Sequence, residues 1–246
     1  MTAAVRGVPG PAGPRWSRWL GRFLARVVWD TRVVGADRVP RTGGVLLAAN
    51  HVGVLDGPVL HGVAPRGTHV IVKEELFRGP LGVRLRLAGQ IPVDRSGGRG
   101  ALVAALGVLR RGGAIVIFPE GNRGSGDASS SRAGVAWLAV TSGAPVVPVA
   151  LLGTRRSGES VNHLPGVRRR LVVEFGEPMV FERPAGVSGR VAVAEASEAL
   201  RSLLAAHVRE ASARTGIDLP FDLPFDLPDG TPGDDPTHGA PPPVSP

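Results

Sequence analysis

Apolar positions from residue 44 onward recur in two alternating patterns. Short apolar runs predict strands at residues 44–49, 68–72, 114–118, 146–152 and 171–175. Longer segments with apolar residues at three- and four-residue steps predict helices at residues 76–88, 100–111, 132–141 and 188–215. Strands that alternate with helices indicate a mainly parallel β-sheet flanked by helices. We therefore predict a single α/β domain over residues 32–216.

A basic amphipathic helix is predicted before this domain, over residues 15–31. Its apolar residues and its arginines follow different faces. These are Trp16, Trp19, Leu20, Phe23, Leu24, Val27 and Val28 on one side and Arg18, Arg22 and Arg26 on another. Tryptophan and arginine suit a helix in the interface of an anionic membrane. The alternative is a helix packed on the sheet with solvated arginines, and we favour the membrane interface.

Both ends of the chain have the composition of disordered segments. Residues 1–14 are rich in glycine and proline, and residues 217–246 form an acidic, Pro/Gly-rich tail. Three roles are open for this tail: it is passive, it folds back on the basic domain, or it binds a partner. The net charge is +8, but residues 218–246 hold six aspartates and no arginine or lysine, which leaves 29 basic against 15 acidic residues, or +14. This excess favours an anionic partner: phospholipid, nucleic acid or a phosphorylated small molecule.

Some classes of protein are excluded or disfavoured by what the sequence lacks. There is no cysteine, which excludes disulfides, thiolate catalysis and cysteine metal sites. No window reaches 18 consecutive apolar residues, and the N-terminus has no signal-peptide pattern. We therefore expect a peripheral or monotopic protein at the cytoplasmic face of the membrane.

His51 and Asp56 are the first candidates for chemistry. His51 directly follows an apolar strand, where α/β sheets place their ligand sites, and Asp56 follows with Gly53 in the intervening turn. The carboxylate can return to one ring nitrogen, fix the tautomer, and stabilise the imidazolium that forms when the other nitrogen takes a proton. His51 would then be a general base. Taken alone, however, a His and an Asp at this spacing recur by chance.

A second group of candidates follows the strand at residues 114–118. There a proline and a glycine-rich loop hold Glu120 and Arg123 at the same edge of the sheet as His51. Glu120 can accept hydrogen bonds from a polyol, and Arg123 can pair with a phosphate. The alternative is an ordinary ion pair, which explains the charges but not the flanking Phe-Pro and Gly.

Two further segments give weaker signals. Residues 89–95 form an extended segment that ends in Arg95, our best candidate for binding a phosphate, with glycines after it that leave N–H groups free. Residues 144–150 form an apolar strand that contains Pro148, and proline in a strand indicates an edge or a bend. Such a strand would shape an acyl or thioester channel, although a plain edge strand has the same pattern.

In this order and spacing, the four segments resemble the glycerolipid acyltransferase family, whose members include the bacterial 1-acylglycerol-3-phosphate acyltransferases. The resemblance spans about residues 32–183. It rests on four blocks, which are His-x₄-Asp, Gly-x-x-x-Val-Asp-Arg, Phe-Pro-Glu-Gly and Val-Pro-Val. Each block alone is a weak indication of the family, but four blocks in the same order are specific for it.

The resemblance implies an enzyme that moves a fatty acyl chain from acyl-CoA or acyl carrier protein to the hydroxyl of 1-acylglycerol-3-phosphate in phospholipid synthesis, without an acyl-enzyme. The thioester is a co-substrate, and no cofactor or metal is implied. By analogy His51 deprotonates the hydroxyl, Asp56 orients the imidazole of His51, and Arg95 holds the phosphate. Contacts to the glycerol moiety are implied for Glu120, Gly121 and Arg123. The family commonly has Thr-Arg-Ser after the third block, whereas Asn122 and Gly124 flank the arginine here, so Asn122 is kept as a substrate-binding candidate.

Several alternatives stay open. The same chemistry on another lipid or alcohol, such as an amino-lipid, fits equally well. A nucleic-acid-binding protein would explain the arginines, but the sequence has no binding motif and no tyrosine. A non-catalytic membrane scaffold does not explain why all four blocks are kept. A zinc or two-metal hydrolase is disfavoured because the other histidines lack ligand spacing. The expected partners are an anionic membrane surface, a lysophospholipid and the acyl donor, with no nucleic acid.

Overall fold

The computed structural model describes residues 7–94, 98–121, 125–127 and 133–221. A seven-stranded sheet forms the centre of this part of the chain. Its strands are β1 (Asp30–Val34), β2 (Val45–Ala49), β3 (Thr68–Lys73), β4 (Ile91–Val93), β5 (Ala114–Ile117), β6 (Val146–Leu152) and β7 (Arg170–Phe175). They lie in the order β1-β7-β6-β2-β5-β3-β4. Only β6 and β7 pair antiparallel among these neighbours, so the prediction of a mainly parallel sheet is confirmed.

Helices cover both faces of this sheet. They are α1 (Ala12–Phe23), α2 (Asp56–Val63), α3 (Gly79–Leu87), α4 (Arg99–Arg110), α5 (Gly134–Ser142) and α6 (Gly189–Thr215). Alternate residues of β2 point to opposite faces. Leu47 and Ala49 join the core beneath α2, whereas Leu46 and Ala48 join the core beneath α4, α5 and α6. The strand is fully buried because it is apolar on both faces, which makes it central in the sheet.

Helix α1 meets the domain through its small residues. It begins at Ala12, earlier than the predicted residue 15, and a single π-helical turn over Leu24–Val28 follows it. Gly13, Ser17 and Gly21 are buried, and a Cβ atom on Gly21 would lie 2.7 Å from the carbonyl oxygen of Pro58 in α2. The large apolar residues Trp16, Trp19, Leu20, Phe23 and Val27 are exposed. This differs from a helix whose large apolar side chains pack on the sheet.

One strand and one helix break were not predicted, and a second strand was predicted only as an extended segment. Strand β1 lies partly inside the predicted helix 15–31 and pairs in parallel with β7 at one edge of the sheet. Strand β4 is the extended segment before Arg95, and it pairs with β3. The predicted helix 76–88 is divided into a 3₁₀ turn (Glu74–Phe77) and α3, because Arg78 is extended and Gly79 has a φ of 61°. Both strands gain their stability from pairing with a distant segment, which a local pattern does not show.

The sequence indicates an edge or a bend at Pro148, and the edge alternative is wrong because the strand is interior. Strand β6 is flanked by β2 and β7. The carbonyl of Pro148 accepts the N–H of Gly176, just beyond the end of β7 (2.8 Å). The N–H and C=O of a strand residue point to the same side, so the nitrogen without hydrogen faces the place where β7 has ended. The ladder with β2 therefore loses no hydrogen bond, and the sheet tolerates this proline.

The predicted disordered ends lie only partly within the described residues. Residues 7–14 are described and include the start of α1, and residues 1–6 lie outside. At the other end, Ile217 and Leu219 pack against the apolar cluster beneath α6. Residues 222–246 lie outside the described part, so the role of the acidic tail stays a prediction. None of the helices in the described part combines the length and apolar character that crossing a bilayer requires.

Candidate active site

His51 and Asp56 lie at the carboxyl edge of the sheet, in the turn between β2 and α2. Asn50, which is fully buried, fixes the exit of β2. Its side chain donates to the carbonyl of Leu151 (3.0 Å) and accepts the N–H of the same residue (2.7 Å). These bonds prolong the alignment of β2 with β6. They place His51 at the mouth of the sheet, where parallel α/β folds bind their ligands.

The carboxylate of Asp56 is fully buried and surrounded by donors. Oδ2 accepts the main-chain N–H groups of Val52 (2.7 Å) and Gly53 (2.8 Å), and it lies 2.8 Å from Nδ1 of His51. Oδ1 accepts the hydroxyl of Thr154 (2.5 Å). These donors replace the water that a buried charge loses. An ionised carboxylate can only accept, so Nδ1 of His51 carries the hydrogen and Nε2 keeps its lone pair.

Phe118 fixes the plane of the imidazole. The two rings are stacked, with centroids 4.1 Å apart and an interplanar angle of 19°. Phe118 follows the end of β5, which pairs with β2, so the two ring-bearing positions leave the sheet side by side. The side chain of His51 is 16% exposed, which lets a substrate reach it while Asp56 stays buried. An aromatic face also stabilises a positive charge that forms on its neighbour.

A cavity of about 620 Å³ opens beside this pair of rings. His51 and Phe118 line one part of it, and the rest is mostly apolar. The apolar residues include Val70, Val72, Leu76, Leu81, Leu85 and Leu102. A cavity of this size and lining can take a small apolar molecule or chain, with the imidazole as the polar group at its wall.

Glu120 and Gly121 lie at the same edge of the sheet as His51, where the sequence placed them. The carboxylate of Glu120 accepts the main-chain N–H of His51 (3.3 Å), which ties the third block to the first. Gly121 has a φ of 74°, a conformation that favours glycine, and it lines the cavity. Glu120 therefore holds the backbone of the turn that carries His51, and the substrate-binding roles of both residues stay predictions.

Arg95, Asn122 and Arg123 lie outside the described residues, so their binding roles stay predictions. The described residues on either side of the Arg95 segment, Asp94 and Gly98, line the cavity. Pro148 does not line it; its ring lies close to Gly176 on the side of the sheet that carries α6. A structural role is therefore the better-supported half of the prediction for Pro148.

Sequence reasoning missed two residues of the site. Phe118 was noted as part of a block but not as the ring beneath His51. Thr154 was not noted at all, although it follows the end of β6 by two residues and so lies at the same sheet edge as His51. Its position after a strand is the signal that could have identified it.

Two other histidines, His61 and His69, form hydrogen bonds within the fold. His61 lies between the hydroxyls of Ser17 in α1 (2.9 Å) and Thr68 in β3 (2.9 Å). Burial lowers the pKa of His61 to about 4, so it is neutral at physiological pH. Burial also lowers the pKa of His69, whose Nδ1 lies 2.6 Å from the carbonyl oxygen of Gly89. Neither residue lines the cavity that contains His51.

The family model for acyltransferases matches residues 30–152, half of the 246-residue chain. The chain belongs to the glycerolipid acyltransferase family. This acyltransferase is 28% identical over 172 residues to the 1-acyl-sn-glycerol-3-phosphate acyltransferase of Bacillus subtilis, with 69% of the chain and 83% of the relative covered. It is 31% identical over 127 residues to the enzyme of the same name from Borreliella burgdorferi, with 50% and 51% covered.

Another relative has a different acceptor in its name. It is the lyso-ornithine lipid O-acyltransferase of Pseudomonas aeruginosa, which is 34% identical over 149 residues, with 58% of the chain and 54% of the relative covered. The acyltransferase thus spans most of the Bacillus relative and about half of the other two. Among solved structures, the 1-acyl-sn-glycerophosphate acyltransferase from Thermotoga maritima matches with a TM-score of 0.64 and 24% identity, covering 82% of this chain and 80% of that one. This match supports the fold.

Proposed function

We propose that this acyltransferase moves a fatty acyl chain from acyl-CoA or acyl carrier protein to the free hydroxyl of 1-acylglycerol-3-phosphate. The observation that carries the proposal is the 2.8 Å contact between Nδ1 of His51 and the buried carboxylate of Asp56, at the wall of an apolar cavity. This arrangement leaves Nε2 free to take a proton. The names of the Bacillus and Borreliella relatives support the choice of acceptor.

The proposed reaction is direct transfer. Nε2 of His51 takes the proton of the acceptor hydroxyl as that oxygen forms a bond to the thioester carbonyl carbon. The tetrahedral intermediate then breaks its carbon–sulfur bond, and the leaving thiolate takes the proton from His51. The imidazolium exists only between these steps, and the charge of Asp56 and the face of Phe118 stabilise it. The ester and the free thiol are the products, and His51 returns to its starting state.

The apolar cavity is proposed to hold the acyl chain of one substrate. Its wall begins at His51 and continues along β3 and α3 through Val70, Val72 and Leu81. Each methylene that leaves water for such a surface contributes about 0.8 kcal/mol of binding. Arg95 and Arg123 are proposed to bind the acceptor phosphate, and Glu120 to bind its glycerol hydroxyl.

A second candidate acceptor is an amino-lipid. The Pseudomonas relative is named for lyso-ornithine lipid, and its identity to this chain is higher than that of the Bacillus enzyme. The base would act in the same way on either hydroxyl. The two acceptors differ in the head group, which is anionic in one and carries an amine in the other, so the choice depends on the groups around Glu120.

Helix α1 is proposed to dock on an anionic membrane surface, at the cytoplasmic face. Trp19 and Phe23 are 67% and 53% exposed, although burial would remove large apolar areas from water. The guanidinium of Arg22 lies 5.7 Å from the ring centroid of Trp19, so charge and aromatic surface are presented together. The small-residue side of α1 is fixed to α2, which leaves this aromatic side free for lipid.

A panel of donors and acceptors tests the catalytic proposal. Acyl-CoA and acyl carrier protein are each offered with 1-acylglycerol-3-phosphate, lyso-ornithine lipid and no acceptor, and thiol release is followed with mass spectrometry of the lipids. We expect phosphatidic acid to be formed with one of the donors. Thiol release without formation of a new lipid ester would contradict acyl transfer. Turnover with lyso-ornithine lipid but not with 1-acylglycerol-3-phosphate would select the second acceptor.

Vesicle flotation tests the membrane proposal. The full chain is mixed with vesicles that contain phosphatidylglycerol or only phosphatidylcholine, and a Trp19→Ser, Phe23→Ser variant is compared with Val191→Ser. Val191 is 43% exposed and lies in α6, on the face of the sheet opposite to α2 and α1, so it controls for lost surface apolarity. We expect only the double variant to lose binding to the anionic vesicles. Equal flotation of both variants would refute docking through α1.

A further inference from the structure

The segment that follows β6 packs against the turn that carries His51. Gly153 has a φ of 86°, and a Cβ atom there would lie 2.7 Å from the carbonyl oxygen of Arg170, so only glycine allows the chain to bend at this point. The bend places Thr154, which is 1% exposed, beneath Asp56. A Cβ atom on Gly53 would lie 3.4 Å from the carbonyl oxygen of Thr154, which is ordinary van der Waals contact.

Bonds on the far side hold this segment in place. The main-chain N–H of Val54, within the catalytic turn, donates to the carbonyl of Val161 (3.0 Å). The guanidinium of Arg155 is buried and donates to the carbonyl of Glu159 (2.9 Å). Glu159 in turn accepts two hydrogen bonds from Arg169, one of them 2.7 Å long. Thr154 therefore has little freedom to move away from Asp56.

The two oxygens of Asp56 have separate partners. Oδ2 faces His51 and two main-chain N–H groups, and Oδ1 faces the hydroxyl of Thr154. Rotation about the bond that carries the carboxylate would carry both oxygens away from their donors together. A donor on Oδ1 thus resists the rotation that would move Oδ2 from Nδ1 of His51.

We propose that Thr154 is a positioning residue for the reaction. Its hydroxyl donates to Oδ1 of Asp56 and thereby keeps Oδ2 aimed at His51, so that His51, Asp56 and Thr154 form a chain of hydrogen bonds with one orientation. Thr154 does not touch the substrate cavity, and it acts through Asp56. The proposal rests on the proposed acyl transfer by His51.

Thr154→Val tests the proposal because it keeps the shape of the side chain and removes the hydroxyl. We expect kcat to fall about 10- to 100-fold, the range that corresponds to one hydrogen bond to a charged group, with KM unchanged. Thr154→Ser restores the donor and should recover most of kcat. Thr68→Val is the matched control, because Thr68 is also fully buried and bonded to a histidine, His61, outside the cavity. We expect it to lower stability and leave kcat unchanged.

A spectroscopic readout separates positioning from stability. The proton between Nδ1 of His51 and Asp56 should give a downfield ¹H resonance in ¹⁵N-histidine-labelled protein, assigned by its loss in His51→Ala. We expect this resonance to shift or broaden in Thr154→Val and to return in Thr154→Ser. If Thr154→Val does not fold, Thr154→Cys, whose thiol is a weaker donor, takes its place with the same expectation.

The two proposals fail in different ways. A wild-type protein without acyl transfer, but with a resonance that responds to Thr154, would overturn the proposed function alone. A wild-type protein with acyl transfer, whose Thr154→Val variant keeps kcat and an unchanged resonance, would overturn the role of Thr154. A loss of kcat that Thr154→Ser does not recover would also overturn it, because the hydroxyl would not be the cause.

Discussion

Asp56→Asn replaces one oxygen of the carboxylate beside His51 with an amide nitrogen. The hydrogen bonds of the resulting amide can still be accommodated by the site. The amide oxygen can take the place of Oδ2 and accept from Val52, Gly53 and His51. The amide nitrogen then faces the hydroxyl of Thr154, which can turn and become an acceptor. The variant should therefore fold. What it loses is the negative charge beside the imidazolium that the proposed reaction forms.

The size of this loss follows from the geometry. The carboxylate oxygen lies 2.8 Å from Nδ1 of His51, which puts the centres of the two charges about 4 Å apart. Two unit charges at about 4 Å interact by about 4 kcal/mol at an effective dielectric constant of about 20. Since about 1.4 kcal/mol is one factor of ten in rate, kcat should fall by about 10³-fold. KM should stay the same, because Asp56 does not line the cavity beside His51.

The assay is steady-state thiol release with the donor and acceptor that the wild type uses, together with a thermal melt of each protein. A folded Asp56→Asn protein whose kcat stays within about tenfold of wild type would refute the reasoning, because the charge of Asp56 would not stabilise the reaction. A large rise in KM with an unchanged kcat would refute it as well, since the residue would then act in binding.

Three further predictions concern stability and the ring stack. Gly62→Ala should lower the free energy of unfolding by about 1–3 kcal/mol in urea titrations, because its Cβ would lie 2.1 Å from the backbone of α1; Gly57→Ala in the same helix, where the Cβ has only an ordinary 3.7 Å contact, should not. The unfolded chain protonates His61 near pH 6.5 and the folded protein only near its pKa of about 4, so stability should fall as the pH is lowered between these values, by up to about 3 kcal/mol. This fall should be smaller in His61→Gln, and equal pH dependence of the two proteins would contradict the buried neutral state. Phe118→Leu should lower kcat about 2- to 13-fold through loss of the stacked ring, while Phe118→Tyr keeps the ring and most of the rate.

Much of the fold could be predicted because the central strands are apolar on both faces. The predicted strand 146–152 has the bounds of β6, and β2 differs from its prediction by one residue at the start. Strand β1 has no such signal, since none of its residues is fully buried and it lies next to a helix pattern. Its partner β7 is far along the chain, and only the folded sheet brings the two together.

The site could be predicted only as far as its residues are close in sequence. His51 and Asp56 are five residues apart, and a turn is sufficient to bring them together. Thr154 is 98 residues from Asp56, and its contact depends on β6 being the neighbour of β2. Pro148 shows the same limit, because its local pattern indicates an edge or a bend and only the end of β7 explains why an interior strand accepts it.

Helix α1 shows that a periodic pattern does not reveal which side of a helix meets the domain. Its periodicity predicts two faces, one apolar and one basic, but the glycines and serine that fix it to α2 carry little weight in such a pattern. Close contact of backbones favours residues without large side chains, so Gly21 and Gly62 decide which side faces the domain. The large apolar side chains remain on the surface as a consequence.

The central claim is that His51 takes a proton from an acceptor hydroxyl that attacks a thioester. It is tested most directly by the stoichiometry of products from wild type and His51→Ala under the same conditions. For the wild type, we predict one molecule of new lipid ester for each thiol released, and no acyl group attached to the protein. For His51→Ala, both products should fall together by about 10²–10⁴-fold in a protein that is still folded. Ester formation that survives in His51→Ala would contradict the claim.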